Sequence, residues 1–367
     1  MKICIDARNP SFGGTYTYIV SLLEAISAID VENEYLVLYD DLHGPLKLNG
    51  VDERIVIGHS SIRMVLWNQY SLSTLLKSEK IDVYHALKQL SNPHTSARTV
   101  YTIHATNHFL FPELWKKHEL AYWRWATRSC VRNADVVIAI SQVEKENLIH
   151  FTRVRPENVH VVSLAPHKRF HPVTDQNLLQ ITRQKFGLPE NFMLFVGNIY
   201  PFKNVSHLVR AFHTAVSNYD LPHKLVLAGG HGKSAKEVFS LVKSLGIADR
   251  VIAPGFVRAE LPALYSLADL FIFPSIFESF GLPLVEAMSC GVPVITSNVW
   301  AIPEVVGEAA IQVDPYSVDA LAEVMAKVVC DRLLHQDLVW RGLERAKMFS
   351  WERCARETVA LYEREVG

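Results

Sequence analysis

Cysteine is scarce in this sequence of 367 residues, and so are long apolar runs. The five cysteines form no CxxC pair and no Cys/His spacing of a metal site, which argues against a zinc module and favours a reducing cytoplasm. No apolar stretch approaches the length needed to cross a bilayer, and the N-terminal segment is interpreted as a buried strand rather than a signal peptide. We therefore expect a cytoplasmic protein.

An excess of charge of one sign is also lacking. The 37 Lys and Arg residues balance 38 Asp and Glu residues, so no global field favours nucleic acid or an anionic membrane. Solenoid repeats and low-complexity tracts are missing too. With 49% hydrophobic residues and this length, we expect a globular chain of two domains, as a monomer or homodimer without a nucleic-acid partner.

What the sequence does contain is a regular series of short β-branched runs between longer amphipathic stretches. In order they are KICIDA, EYLVLYD, RIVIG, DVYHA, TVYTIH, DVVIAI and VHVVSL, then NFMLFVG, KLVLAGG, RVIAPG, DLFIFPS, VPVITSN and AIQVDP. Several are apolar on consecutive residues, which is typical of parallel strands covered by helices on both faces. The pattern predicts an α/β fold with two Rossmann-like units in series.

The segment from Leu164 to Gln176 contains two prolines and separates the two series of strands. It is predicted to connect the domains, and a closing helix is predicted after Ser350. We assign residues 1–170 to an N-terminal domain, 171–349 to a C-terminal domain and 350–367 to the closing helix. Because ligands of such sheets bind beyond the carboxyl ends of the strands, the chemistry is expected in a cleft between the two domains.

The most informative segment is FPSIFESFGLPLVEAMSCGVPVITSN, residues 273–298. A helix is predicted to begin at Pro283 and to end before Gly291. The backbone amides ahead of it are predicted to be free, namely those of Phe280, Gly281 and Leu282. Free amides and the helix dipole make a site suited to phosphates.

Two carboxylates, Glu278 and Glu286, flank this predicted anion site, and carboxylates accept hydrogen bonds from the hydroxyls of a ribose or a hexose. Here the sequence resembles glycosyltransferase family 4, whose signature is Glu, seven residues, Glu. In this chain the signature is ESFGLPLVE, within the wider matching block EAMSCGVPVITS. The resemblance implies the GT-B fold, with two Rossmann-like domains facing across a cleft and the C-terminal helix packing back on the N-terminal domain.

The resemblance also implies roles for residues. Glu286 would bind the donor ribose, Glu278 the donor sugar, and the amides of Phe280 to Leu282 the diphosphate. The full predicted set is Glu278, Lys203 and His104 as catalytic residues, and Gly14, Gly197, Asn198, Asn204, Val257, Ser279, Phe280, Gly281, Leu282 and Glu286 as donor-binding residues.

A second matching segment, VGNIYPFKNVSHLVRAF, contains Lys203. A fixed cation there would stabilise the departing nucleoside diphosphate, so that no metal or cofactor is required. Two positions depart from the family, since Asn198 replaces a common arginine and Phe202 replaces a position that is often basic. The candidates for the missing cation, among which the sequence does not choose, are Lys168, Arg169 and Arg258.

The N-terminal half contributes weaker matches. The glycine loop NPSFGG, which follows Asp6 and precedes a helix, is similar to the loop that approaches the donor diphosphate in the family, although an ordinary turn is about as good an interpretation. His104 follows the fifth strand, where the family has a histidine that contacts the donor sugar, but Ala105 stands where relatives often have aspartate. Ser141 is predicted to be a helix N-cap.

Two further segments complete the predictions. By resemblance, the backbone of Val257 would bind the edge of the nucleotide base, while Glu260 and Leu261 are predicted to start a helix. The stretch WKKHELAYWRWATRSCVR places basic residues near one helical face: Lys117, Arg124, Arg128 and Arg132. A solvated helix face with its aromatics in the core is favoured over peripheral contact with the inner membrane face, which would suit a lipid-linked acceptor.

Together these segments and the resemblance predict a metal-independent hexosyltransferase, and the resemblance implies that transfer retains the anomeric configuration. Its donor would be GDP-mannose or a UDP-hexose, and its acceptor a glycan, a lipid-linked glycan or a small molecule. Two alternatives are a nucleotide-sugar binding protein that has lost catalysis and a sugar nucleotide epimerase of the same fold, which the Glu-to-Glu block does not support. An NAD-linked dehydrogenase is disfavoured because no GxGxxG follows the first strand.

Overall fold

The computed structural model describes residues 1–8, 13–41, 44–57, 67–88 and 94–363. The chain forms two compact units. The first comprises Met1–Leu164 together with Ser350–Gly367, and the second comprises Ala165–Phe349. Each unit is built around its own parallel sheet.

The first sheet has the strand order β3-β2-β1-β4-β5-β6-β7, and the second has the order β10-β9-β8-β11-β12-β13. The strands of the first are β1 (Lys2–Asp6), β2 (Glu34–Asp40), β3 (Val51–Ile57), β4 (Val83–Ala86), β5 (Arg98–Ile103), β6 (Val136–Ala139) and β7 (Val159–Val161). Those of the second are β8 (Phe192–Val196), β9 (Lys224–Ala228), β10 (Val251–Gly255), β11 (Leu270–Phe273), β12 (Val294–Ser297) and β13 (Ile311–Val313). All thirteen predicted strands are confirmed.

Helices connect these strands. They are α1 (Gly14–Ile29), α2 (Leu72–Ser78), α3 (Asn107–Leu110), α4 (Lys117–Arg132), α5 (Gln142–Thr152), α6 (Gln176–Phe186), α7 (Val205–Asn218), α8 (Ala235–Ser244), α9 (Leu261–Leu267), α10 (Leu282–Ser289), α11 (Ile302–Val306), α12 (Val318–Cys330), α13 (Arg332–Ala346) and α14 (Trp351–Glu363). Short 3₁₀ turns cover Pro112–Leu114, Pro156–Asn158, Pro201–Lys203 and Ala248–Arg250, and a π-helical turn covers Trp67–Ser71.

In each sheet the strand order reverses at one central strand, β1 or β8. The loops that follow β1 and β4 in the first sheet, and β8 and β11 in the second, therefore diverge in opposite directions. Ligands of open α/β sheets bind at such a point, beyond the carboxyl ends of the strands. The central strands are buried except at Lys2 and Val196, with Ile3 and Leu194 at 0% exposure, so these loops follow rigid strands.

The last helix, α14, belongs to the first unit and packs on α1. The hydroxyl of Tyr362 in α14 lies 2.7 Å from Nδ1 of His85 in β4. Nε2 of His85 lies 2.9 Å from the hydroxyl of Thr102 in β5. Burial lowers the pKa of His85 to about 3, so the ring is neutral. The α/β class with two Rossmann-like units and a returning C-terminal helix is thus confirmed.

Arg124 and Arg128 of α4 are half-buried, which differs from the predicted solvated face, whereas Lys117 and Arg132 are exposed as predicted. Arg124 donates to the carbonyl of His108, Arg128 to that of Phe151, and Arg132 to that of Thr152. The last two carbonyls belong to the final turn of α5, where they lack partners within the helix. The expectation that aromatics of α4 lie in the core is also wrong for Trp125, which is 61% exposed. None of the described helices is both long and apolar enough to span a membrane.

Candidate functional site

The loops after β8 and β9 approach each other very closely. A Cβ atom on Gly229 would lie 2.0 Å from the carbonyl oxygen of Gly197, and the φ of Gly229 is +151°, so only glycine fits there. The side chain of Asn198 accepts a hydrogen bond of 2.9 Å from the amide of Gly230. Asn198 therefore joins the two loops, in a position where the family commonly has a cation.

Lys203 and Glu278, both predicted to be catalytic, lie side by side. The Lys203 ammonium is 2.5 Å from Oε1 of Glu278, and the two side chains are 15% and 12% exposed. The ammonium also lies 4.7 Å from the centroid of the Phe273 ring and 5.4 Å from that of Phe202, which adds cation–π attraction. The loops that carry the pair are joined by a hydrogen bond of 2.8 Å from the amide of Ile276 to the carbonyl of Phe202.

The helix start predicted beside this pair is present. Helix α10 begins at Leu282, and its N-cap is Gly281, whose φ of +95° suits glycine. No side chain caps this end of the helix. Within the described part of the chain, no hydrogen-bond partner is recorded for the amides of residues 279 to 282. The predicted set of free amides thus lies next to a cation, as an anion site requires.

Glu286 lies one turn into α10, where Oε2 accepts a hydrogen bond of 3.2 Å from the hydroxyl of Tyr265. Burial raises the pKa of Glu286 to about 7, against the opposing effects of the Tyr265 hydrogen bond and the charge of Arg169. Of the three cations proposed to compensate for Asn198, Arg169 is thus the one with an electrostatic effect on a predicted site residue. The other two, Lys168 and Arg258, are exposed.

Two more predicted donor-binding residues occupy supporting positions. The side-chain amide of Asn204 donates a hydrogen bond of 2.7 Å to the carbonyl of Pro315, and the residue is 8% exposed. Val257 is also buried, in the loop after β10. The predicted helix start after it is confirmed, since α9 begins at Leu261 and Glu260 pairs with Lys185 at 2.5 Å.

In the first unit, the ring of His104 is held in one orientation. Nε2 of His104 donates a hydrogen bond of 2.9 Å to the carbonyl of Leu87, and the ring packs edge-on against Tyr18 at 4.7 Å. Burial lowers the pKa of His104 to about 4, so its Nδ1 remains a hydrogen-bond acceptor. Gly14 is the first residue of α1. Residues 9–12 of the predicted glycine loop lie outside the described residues.

Sequence reasoning missed an ion pair at the carboxyl end of β1. The guanidinium of Arg8 donates two hydrogen bonds to Asp6, of 2.7 and 2.5 Å, and Arg8 is 2% exposed. Tyr84 donates a third hydrogen bond to Asp6, of 2.8 Å, and the ring of Trp67 lies 4.4 Å from the guanidinium. Two opposite charges directly after a buried strand could have indicated this pair.

A buried carboxyl group, Glu144, was also missed. Ser141 caps α5 as predicted, accepting a hydrogen bond of 3.2 Å from the amide of Glu144, whose own side chain is fully buried. Burial raises the pKa of Glu144 to about 8, and the nearby Thr106 only partly offsets this rise. Among the described residues, neither carboxyl oxygen makes a hydrogen bond of ordinary geometry. The S-x-x-E spacing was the available signal, but it predicts a capping glutamate at the surface.

No group of three His, Cys, Asp or Glu side chains arranged to hold a metal ion occurs in residues 1–8, 13–41, 44–57, 67–88 and 94–363. The candidate site of the second unit instead combines an ammonium, two carboxyl groups and a set of backbone amides around one helix N-terminus. This geometry, on two parallel Rossmann-like sheets with a returning C-terminal helix, defines the class of GT-B glycosyltransferases.

Comparison with known proteins supports that class. A family model described as "Glycosyl transferases group 1" matches residues 180–345, and one described as "Glycosyltransferase Family 4" matches residues 12–165. The O-antigen chain mannosyltransferase B of Escherichia coli is 31% identical over 290 residues, which cover 78% of this chain and 76% of the relative. The chain therefore belongs to glycosyltransferase family 4.

Two further matches differ in extent. The serotype-specific mannosyltransferase WbdA of Escherichia coli is 31% identical over 235 residues, covering 63% of this chain but only 29% of WbdA. The structure of HepE from Anabaena in complex with UDP and glucose superimposes with a TM-score of 0.78, covering 99% of each chain at 19% identity. At that identity, the likeness to HepE shows the fold alone.

Proposed function

We propose that this glycosyltransferase transfers a mannosyl group from GDP-mannose to a glycan hydroxyl, with retention of the anomeric configuration. The observation that carries the proposal is the contact between Lys203 and Glu278 beside the free amides of α10. Mannose is preferred over the other hexoses because the relative that matches over most of its length is named as an O-antigen mannosyltransferase. A UDP-hexose donor and a lipid-linked or small-molecule acceptor are outcomes of the tests below.

Donor binding would fall to the second unit. The diphosphate would lie against the amides of residues 279 to 282, with the ribose hydroxyls donating to Glu286. The Lys203 ammonium lies 2.5 Å from Oε1 of Glu278. An arriving diphosphate would compete for this ammonium and release an oxygen of Glu278 to accept a hydroxyl of the donor sugar. Lys203 and Glu278 would therefore exchange each other for the donor's diphosphate and sugar when the donor binds.

Transfer breaks the bond between the anomeric carbon and the diphosphate oxygen, and the electron pair leaves with the nucleoside diphosphate. Lys203 and the amides would stabilise this growing negative charge, for which the site needs no metal ion. The acceptor oxygen then bonds to the same face of the anomeric carbon, and its proton passes to the departing phosphate. We place donor binding in residues 171–349 and acceptor binding in residues 1–170, where Nδ1 of His104 would accept a hydrogen bond from the donor sugar.

The test is a transfer assay with GDP-mannose, UDP-glucose, UDP-galactose and UDP-N-acetylglucosamine against a panel of oligosaccharide acceptors. We expect acceptor-dependent release of GDP, an α-linked product by NMR, and unchanged rates in EDTA. Glu278→Gln should abolish transfer, whereas Glu237→Gln on the exposed face of α8 should not. Donor binding without turnover on any acceptor would instead support the binding-protein alternative, which the role of Asn198 as a link between loops keeps open.

A further inference from the structure

A groove of about 680 Å³ runs along helix α13 of the second unit. Its wall is formed mainly by side chains of this helix, and Asp269 and Gly291 close the opposite side. The volume is within the range of sites that bind small molecules in proteins.

This groove is separate from the proposed donor site. Asp269 precedes β11, so the groove lies at the amino edge of the sheet, whereas Glu278 follows the carboxyl end of the same strand. Helix α10 connects the two places, because its free amides are at one end and Gly291 follows the other end. Eight residues at 1.5 Å per residue place the two ends roughly 12 Å apart.

The groove presents a flat aromatic surface beside hydrogen-bonding groups. Trp340 is 61% exposed, and Val339 and Leu343 form an apolar floor. Arg332, Gln336 and Trp340 are spaced four residues apart, so they follow one another along one face of α13. Within the described residues, no hydrogen-bond or ion-pair partner is recorded for the side chains of Arg332 and Gln336.

The polar rim of the groove is fixed by its own hydrogen bonds. Nε2 of His335 donates to the carbonyl of Asp269 at 3.1 Å, which leaves Nδ1 of His335 as an acceptor. The carboxylate of Asp269 in turn accepts a hydrogen bond of 2.9 Å from the amide of Phe192. Arg332, His335 and Gln336 therefore bring polar groups into the same lining as the indole of Trp340.

The same features argue against a phosphate ligand. The amides at the N-terminus of α13 are already occupied, because the carboxylate of Asp331 accepts hydrogen bonds of 3.0 Å from those of Leu333 and Leu334. A negative charge therefore stands where a phosphate would otherwise bind. A sugar ring, by contrast, has an apolar face of C–H groups for an indole and a rim of hydroxyls for the polar side chains of Arg332, Gln336 and His335.

We propose that this groove binds a saccharide unit of the glycan on which the enzyme acts, and so anchors the chain away from the point of transfer. The identity of the ligand as an acceptor or product glycan rests on the proposed function. The binding itself does not depend on turnover, so the two proposals can fail separately.

The experiment is calorimetric titration of the full chain, without donor, with α-linked mannotetraose and with maltotetraose. We expect saturable binding of at least one of them, and a loss of at least about tenfold in affinity in Trp340→Ala. Trp125→Ala is the matched control, because Trp125 is also 61% exposed but lies in α4 of the first unit. Gln336→Leu, at an exposed position, should also weaken binding while leaving the melting temperature unchanged.

Transfer to a monosaccharide acceptor separates the two proposals. Trp340→Ala should transfer to a short acceptor at the wild-type rate and lose efficiency only on long chains. Binding of mannotetraose by a protein that shows no transfer would leave the groove proposal standing and overturn the proposed function. The groove proposal is overturned if the wild type binds neither oligosaccharide up to about 10 mM, if Trp340→Ala binds as well as Trp125→Ala, or if Trp340→Ala changes only the oligomeric state.

Discussion

Apart from the buried Asp6–Arg8 ion pair of the first unit, the carboxyl edges of the two sheets differ in the charge of their side chains. In the second unit, Lys203 and Glu278 keep opposite charges at a partly exposed position beside unpaired amides. In the first unit, burial lowers the pKa of His104 to about 4 and raises that of Glu144 to about 8, so both groups are neutral at pH 7. In the proposed function, the charged edge would receive the diphosphate of the donor, and His104 would offer a neutral acceptor to a hydroxylated ligand.

The largest expected effect is on the charged edge. Replacing Lys203 by methionine removes the cation that would stabilise the leaving group, so kcat should fall at least about 100-fold, or roughly 3 kcal/mol. Steady-state release of nucleoside diphosphate measures this loss. Lys236→Met, at an exposed position on α8, should leave kcat unchanged. Equal activity of the two variants would contradict this prediction, since the charged edge would then have no role in transfer.

The next effect is on the neutral edge and concerns stability. The folded-state pKa of Glu144 is about 8, above its ordinary value of 4.5, so the folded state retains this proton and its contribution to stability is lost as the pH rises between these values. Glu144→Gln does not titrate. It should therefore gain roughly 3 kcal/mol relative to the wild type between pH 5 and pH 8.

Urea denaturation at a series of pH values checks this prediction. Glu146→Gln is the control on the same helix, because Glu146 is exposed. A difference between Glu144→Gln and the wild type that stays constant with pH would mean that the carboxyl is already ionised in the folded protein.

A smaller effect is expected at Glu286, on the pH dependence of donor affinity. In the proposed donor complex the carboxylate form of Glu286 would accept the ribose hydroxyls, and burial raises the pKa of this group to about 7. Donor affinity of the wild type should therefore rise about tenfold from pH 6 to pH 8. Calorimetric titration of the donor over this range should show a flat profile for Glu286→Gln. If the donor affinity of Glu286→Gln rose with pH as steeply as that of the wild type, the titrating group would be a different residue.

The smallest effect is expected at Asn198, which joins two loops through Gly230. Loss of this exposed hydrogen bond in Asn198→Ala should cost about 1 kcal/mol of unfolding free energy, measured by thermal melting. Donor affinity should fall less than about tenfold, since the residue carries no charge. Asn218→Ala, at an exposed position, is the control. A loss of affinity comparable with that of Lys203→Met would make Asn198 a direct ligand of the diphosphate.

The parts of this molecule that could be predicted are those whose signals are local. The β-branched runs give all thirteen strands, and Pro283 and Gly291 mark the two ends of α10 because one lacks an amide hydrogen and the other accepts a positive φ. The short distance between Lys203 and Glu278 was not predicted, and it arises because the two residues follow neighbouring strands, β8 and β11, of one sheet.

What could not be predicted depends on tertiary contacts. A helical pattern shows that Arg128 and Arg132 share a face, but not that carbonyls at the end of α5 lie opposite them. The S-x-x-E spacing likewise gives the cap at Ser141, but not the burial of Glu144. The roles assigned to individual site residues, including Val257 and Gly14, stay predictions until a donor complex is measured.

The hydrogen bond between Tyr362 and His85 has a consequence for biosynthesis. Since α14 follows residue 349, the ribosome makes the whole second unit before it makes the helix that completes the first. The second unit can therefore fold while the first still has the surface of α1 uncovered. A nascent chain stalled before Ser350 should bind chaperones through that surface, although every strand of both sheets is already present.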